Sequence, residues 1–196
     1  MFPLLTVIFI IFLICLKYFS RKGNIRQEEV MKSFWDKERK ANSTVIKDIC
    51  NIDYITIPSE LFPSDICTKS QQKLLELSHE KILNLTGLSN TDIKLKYGVT
   101  NFEHVTKCDD NFTQMVTIIP TYANELIECG KTDVAIRLLE FAIDNHADSK
   151  KIYMLLAQLY IDSGNKDKIN YLIDNANELN SLSKEPIISS LVALTS

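Results

Sequence analysis

The sequence predicts an all-α protein, with an N-terminal transmembrane helix and a helical body ending in a short α-solenoid. Three observations predict it. An apolar run from Phe2 to Phe19 is interrupted only by Pro3, Thr6 and Lys17. Residues 26–49 are rich in helix formers and contain neither Gly nor Pro. Gly130 and Gly164 stand 34 residues apart, and the segments around them match in residue type.

The run 2–19 holds 18 residues, which as a helix is about 27 Å long, close to a hydrocarbon thickness of roughly 30 Å. Pro3 falls in the first turn, where a missing N–H costs little. Lys17 can lay its stem along the helix and place its ammonium at the headgroups, and Tyr18 and Phe19 suit the interface. A cleaved signal peptide needs a basic leader, a shorter apolar run and small residues at the cut. No basic side chain precedes Pro3 and no small-residue site follows the run. Leu13 and Ile14 before Cys15 are too large for a lipoprotein site. The competing reading is a buried helix of a soluble protein. For a retained anchor, Lys17, Arg21, Lys22 and Arg26 are the membrane-surface contacts. All lie after the span, so the expectation is a single-pass cell-membrane protein with its N-terminus outside and its body in the cytoplasm.

Charge is divided along the chain. Residues 17–47 carry nine Lys/Arg against four Asp/Glu, a net of +5, and residues 48–196 carry a net of −8. The basic stretch 20–47 is expected as a juxtamembrane helix, formed from about Gln27 to Thr44, with either an affinity for the anionic inner leaflet or a merely solvated mixed-charge face. Val30, Phe34 and Trp35 form a narrow stripe on it, with Trp35 expected to pack on the body rather than dip toward lipid. No basic face continues beyond residue 47, which argues against nucleic acid as a partner. Five cysteines, Cys15, Cys50, Cys67, Cys108 and Cys129, are odd in number and lack metal-ligand spacing. They read as reduced thiols in a cytosolic body.

Residues 48–64, with "YITIP" and two prolines, read as an extended connector lying in a groove of its own domain. The helical middle region, 65–115, is expected to open with a helix capped by Ser64 or Asp65. That helix carries Leu74, Leu75, Leu77, Ile82 and Leu85 to a stop at Gly87, with His79 on its apolar face. "SNTDIKLKYG" reads as a short capped helix ending at Gly98, and "NFEHVTKC" as another. Asp109 or Asp110 is expected to cap a longer helix, kinked or broken near Ile119 by Pro120.

Residues 116–196 carry the repeat. A shift of 34 places Ala123 on Ala157, Leu126 on Tyr160, Ile127 on Ile161, Asp133 on Asp167, Leu138 on Leu172, Leu139 on Ile173 and Ala142 on Ala176. Small residues let helices approach, large ones fill the space beside them, and glycine makes the turn. Tyr153, Leu156, Ala157, Tyr160, Gly164 and Ala176 follow the pattern of the tetratricopeptide repeat (TPR) family, which residues 116–196 resemble. The earlier copy keeps Ala123, Gly130, Ala135 and Ala142 but has Ile119 where an aromatic is usual, with Pro120 beside it. The later copy has Ile169 for the usual Ala and lacks the closing Pro. "SLSKEPIISSLVAL" reads as a terminal capping helix. Fewer than three full units need helices before residue 116 to cover the open end. Through "FWDKERKANSTVIKDICNIDYITIP" and "ILNLTGLSNTDIKLKYG" the whole chain is also similar to a small bacterial family of single-span membrane proteins, a likeness that carries no activity with it.

Chemistry-bearing clusters are sparse. His79, His104 and His146 are scattered singly, and five glycines leave no room for a phosphate loop. Cys108 beside Asp109 and Asp110 suggests a nucleophile site, but helix capping explains the carboxylates more simply. No metal or cofactor is expected. The expected function is a non-catalytic, membrane-anchored protein–protein interaction module. In the TPR-like reading the first helix of each pair lines a concave face, which points to Asn124, Glu128, Met154, Gln158 and Ile161 as contacts for an unknown protein or peptide. The competing reading packs these residues against the chain's own preceding helices or the YITIP segment. The alternative function is a membrane-bound enzyme or small-molecule binder with its site in residues 65–115.

Overall fold

The computed structural model describes residues 2–45, 49 and 52–195, with side chains at 7–13, 15–17, 26–45, 49 and 52–194. Among these residues the chain is all-helical. Helix α1 spans Phe2–Ser43, α2 Lys69–Leu77, α3 Asn90–Tyr97, α4 Phe102–Glu128, α5 Thr132–Asp144, α6 Lys150–Asp162, α7 Lys168–Glu178 and α8 Lys184–Thr195. A 3-10 turn, Ser59–Leu61, lies between α1 and α2.

The apolar run and the basic stretch form one helix. α1 passes through Gly23 without ending and extends over 42 residues, about 63 Å. Among the described residues no helix is long and apolar enough to cross a membrane. Several side chains of the 2–19 run, and those of Arg21 and Lys22, lie outside the described residues. The C-terminal end of α1 docks on α3. Ala41 is fully buried there, Lys37 pairs with Asp92 at 2.7 Å, and Lys94 Nζ meets Glu38 at 3.3 Å and Asn42 Oδ1 at 2.9 Å. N-terminal to this contact Val30, Phe34 and Trp35 stay exposed, Trp35 at 55%. Trp35 meets Phe34 edge-on, so the expected packing of Trp35 on the body does not occur. α3 covers only about 12 Å of α1, which is too short to reach the stripe.

The α1–α3 junction is held by depressed carboxylates. The Lys37 and Ser89 hydrogen bonds hold Asp92 down to about 2, and Thr91 and Lys94 lower Glu38. Groups depressed in the folded state contribute docking stability that is complete above the ordinary carboxylate range and fades as pH falls through the folded values. The expected result is an α1–α3 contact insensitive to pH above about 5 that loosens between about pH 4 and 2. Hydrogen exchange at α3 amides across that range checks it.

Residues 78–89 depart from the helix expected there. Thr68, not Ser64 or Asp65, caps α2, its side chain accepting from Gln71 N at 3.1 Å. The helix ends at Leu77, and His79 is exposed beyond it. Ile82 instead pairs its backbone with the connector, its carbonyl accepting from Ile55 N at 2.9 Å. Tertiary pairing takes this segment because Ile82, Leu83 and Leu85 all bury against neighbouring elements. Gly87 ends at the α7–α8 linker: its φ is +84°, and a Cβ there meets Asn180 O at 2.4 Å. Gly87→Ala is expected to cost about 1–3 kcal/mol, from left-handed strain and this collision. A urea melt measures it.

α4 likewise differs from expectation. It runs unbroken across Cys108–Asp110, where two helices were expected, and Pro120, where a kink or break was expected, does not break it. Asp109 does not cap it. Its Oδ1 accepts from Leu85 N at 2.8 Å and ties the irregular segment to the middle of α4.

The last four turns and pairings carry the repeat into three dimensions. α4 packs on α5, α5 on α6, α6 on α7, and α8 closes on both α6 and α7. Ala123, Ala157, Ala142 and Ala176 are all fully buried, as are Leu138 and Leu172. The turns after α4 and α6 are superimposable in bonding: Lys131 N to Leu126 O and Asn165 N to Tyr160 O are both 2.8 Å, with Gly130 and Gly164 left-handed between them. His146, at φ 57°, makes the same turn after α5, with Ala147 N to Ala142 O at 3.0 Å. The N-terminal open side is covered by the 3-10 turn and α2. Tyr122 donates to Leu61 O at 3.0 Å and stacks on Phe62.

Candidate functional site

α2 and α4 run antiparallel. Ser70 Oγ donates to Glu125 Oε1 at 2.9 Å, and eleven residues later Asn111 Nδ2 donates to Lys81 O at 3.0 Å. Beyond the start of α2, Lys131 pairs with Asp65 at 2.7 Å. Between these ties the outer faces of the helices part into a groove of about 640 Å³.

The helical period explains the lining. Lys73, Glu76, Leu77 and Glu80 come from α2 and the turn after it, and Lys107, Asn111, Gln114 and Ile118 from α4. Lys73, Leu77 and Glu80, like Lys107, Asn111, Gln114 and Ile118, step by three or four residues and so form continuous stripes, with Glu76 beside the first. Leu77 and Asn111 are buried in the floor, and Ile118 is half-buried. Thr113 and Thr117 stand on the exposed side. Two lysines and two glutamates leave the rim mixed in sign, with amide and hydroxyl groups between them. Such a rim offers hydrogen bonds along its length over a narrow apolar floor.

The groove opens onto the outer face of α4. Asn124 and Glu128 lie exposed on that helix, beyond the groove's end. On α6, Gln158 is exposed and donates to Asp162 Oδ1 at 2.7 Å. Met154 and Ile161 are only partly open and pack against the main core, so their apolar surface is largely used within the chain. Lys17 and Arg26 are exposed on α1, far along the chain from the groove. Asn124 and Glu128 thus lie outside the groove lining, most of which, Lys73 to Gln114, falls in the region 65–115 that the sequence assigned to the alternative reading without naming its residues. The spacing of Lys73, Leu77 and Glu80 was visible. That it faces Lys107 and Gln114 depends on the pairing of α2 with α4, which no local pattern encodes.

Cys108 sits elsewhere. It is buried, its Sγ lies 3.9 Å from His104 Nε2, and that nitrogen lies 3.2 Å from Tyr54 OH. Burial pushes the thiol up, away from the thiolate a nucleophile needs. Burial also raises Asp109. Among the described residues no group of three or more His, Cys, Asp or Glu side chains is placed to hold a metal ion.

The fold and groove thus define an all-helical body with an elongated surface channel. Comparison with family models, with curated proteins and with solved structures gives no match.

Proposed function

We propose that the protein is a membrane-anchored protein–protein interaction module, with a TPR-like body that receives a peptide or helix of another protein along the α2–α4 groove. The observation that carries this is the groove itself: two helical stripes with a polar rim over a floor of Leu77 and Asn111. The 34-residue register, with equivalent alanines buried and equivalent turns bonded alike, supports the TPR-like reading of 116–196. Anchoring rests on the sequence of 2–19 and on its placement within a single helix, α1. In this reading Lys17, Arg21, Lys22 and Arg26 meet the lipid headgroups, and the body lies on the cytoplasmic side. The 17 residues of α1 between Phe19 and Lys37 then hold the body about 26 Å from the bilayer edge.

A second reading has one observation in its favour. A cavity of this volume falls in the range of small-molecule sites, and most of its lining lies in residues 65–115. Photo-crosslinking separates the two. A photoreactive residue at Gln114 in the full chain, in native membranes, is expected to give discrete protein adducts that the same residue at Glu185 on α8 does not. Identical adducts at both positions, or none at Gln114, overturn the interaction reading.

A further inference from the structure

The antiparallel pairing of α2 and α4 brings together the two segments that carry Cys67 and Cys129. Asp65 faces Lys131 at 2.7 Å and Ser70 faces Glu125 at 2.9 Å. Cys67 lies between Asp65 and Ser70, and Cys129 between Glu125 and Lys131. The two ties therefore bracket the two cysteine positions along both segments. Both thiols are free and exposed. Neither is locked within a helix: Cys67 precedes the Thr68 cap, and Cys129 is the C-terminal cap of α4. Such end positions leave the backbone free to adjust toward disulfide geometry. The Cys67 thiol accepts from Gln72 Nε2 at 3.2 Å, a surface contact that a rotamer change gives up.

We propose that Cys67 and Cys129 are a redox-active pair that forms a reversible intramolecular disulfide. The oxidant is a low-molecular-weight disulfide. The thiolate of one cysteine attacks it, forming a mixed disulfide and releasing one thiol. The second cysteine's thiolate then attacks the protein sulfur and releases the other. Two protein thiols are oxidised to one S–S bond, and one small disulfide is reduced to two thiols. The bond staples the segment just before α2 to the C-terminal cap of α4, near the groove that begins at Lys73. Its consequence, a groove of fixed width, rests on the proposed function. The bond itself does not.

Peptide mapping by mass spectrometry of the full chain, incubated with oxidised glutathione, tests the pair. The Cys67–Cys129 cross-linked peptide is expected to exceed glutathionylated Cys67 or Cys129 by about tenfold or more, because a neighbouring thiol acts at a millimolar effective concentration. Dithiothreitol is expected to reverse it, and in Cys129→Ser the Cys67 peptide is expected to be glutathionylated instead. Separate glutathionylation of both cysteines in the unmodified sequence, or preferential linkage of either to Cys15 or Cys50, overturns the proposal. The mapping requires no partner, so its failure leaves the groove reading standing, and a failed crosslink at Gln114 leaves the pair standing.

Discussion

Leu138→Ala is expected to lower the stability of the body by about 2–5 kcal/mol, the range for removing a buried leucine and leaving a cavity. Leu138 is fully buried on α5, between the helices that carry the repeat, and its counterpart 34 residues on, Leu172, is fully buried too. Neighbouring Leu139, Ala142 and Ile143 are also closed off, so little is free to move into the gap. For a body of this size the loss corresponds to a fall in Tm of roughly 10 °C. Leu182→Ala is the matched control. Leu182 is fully exposed in the α7–α8 linker, and its truncation is expected to stay within about 0.5 kcal/mol. Equal effects of the two substitutions contradict the packing described.

Pro120→Ala is expected to act in the opposite direction and stabilise the protein by about 1–2 kcal/mol. A proline inside a helix withholds a hydrogen bond from the carbonyl four residues back and crowds it, at a cost of about 3 kcal/mol. α4 nevertheless continues through it, because Ile119, Tyr122, Ala123 and Leu126 bury on the same helix face as Met115 and Phe112. Alanine restores the donor to Val116 O. Part of the gain is offset because alanine frees the unfolded chain and fills less of a half-buried site. Chemical denaturation reads the sign directly, and a loss of stability shows that Pro120 packing outweighs the missing bond.

The same helix shows where the sequence was readable. Ala123, Ala142, Ala157 and Ala176, with Gly130 and Gly164, repeat at fixed spacing because each copy solves the same local problem of close helices joined by a left-handed turn. That period stands in the chain itself, and α4 to α7 follow it. Pro120 does not break α4, because packing along the whole helix outweighs the local breaking rule. Ile82 and Leu85 fit a helical spacing, but their backbone and side chains are claimed by Ile55, Asp109 and the core. Trp35 appeared to need cover, but the short α3 ends before reaching it. The groove was legible only in halves. Each stripe has a helical period, whereas their meeting is set by Ser70–Glu125 and Asn111–Lys81, contacts between residues 30 or more apart.

The proposal that residues 2–19 anchor the body on the cytoplasmic side is tested most directly by labelling the exposed thiols of Cys67 and Cys129. Cells expressing the full chain are treated with a permeant reductant and a membrane-impermeant maleimide, before or after permeabilisation, and the membranes are then washed with carbonate. The account predicts that the chain stays in the washed membrane pellet and that Cys67 and Cys129 label only after permeabilisation. Release of the chain into the wash, or labelling of either thiol in intact cells, contradicts it.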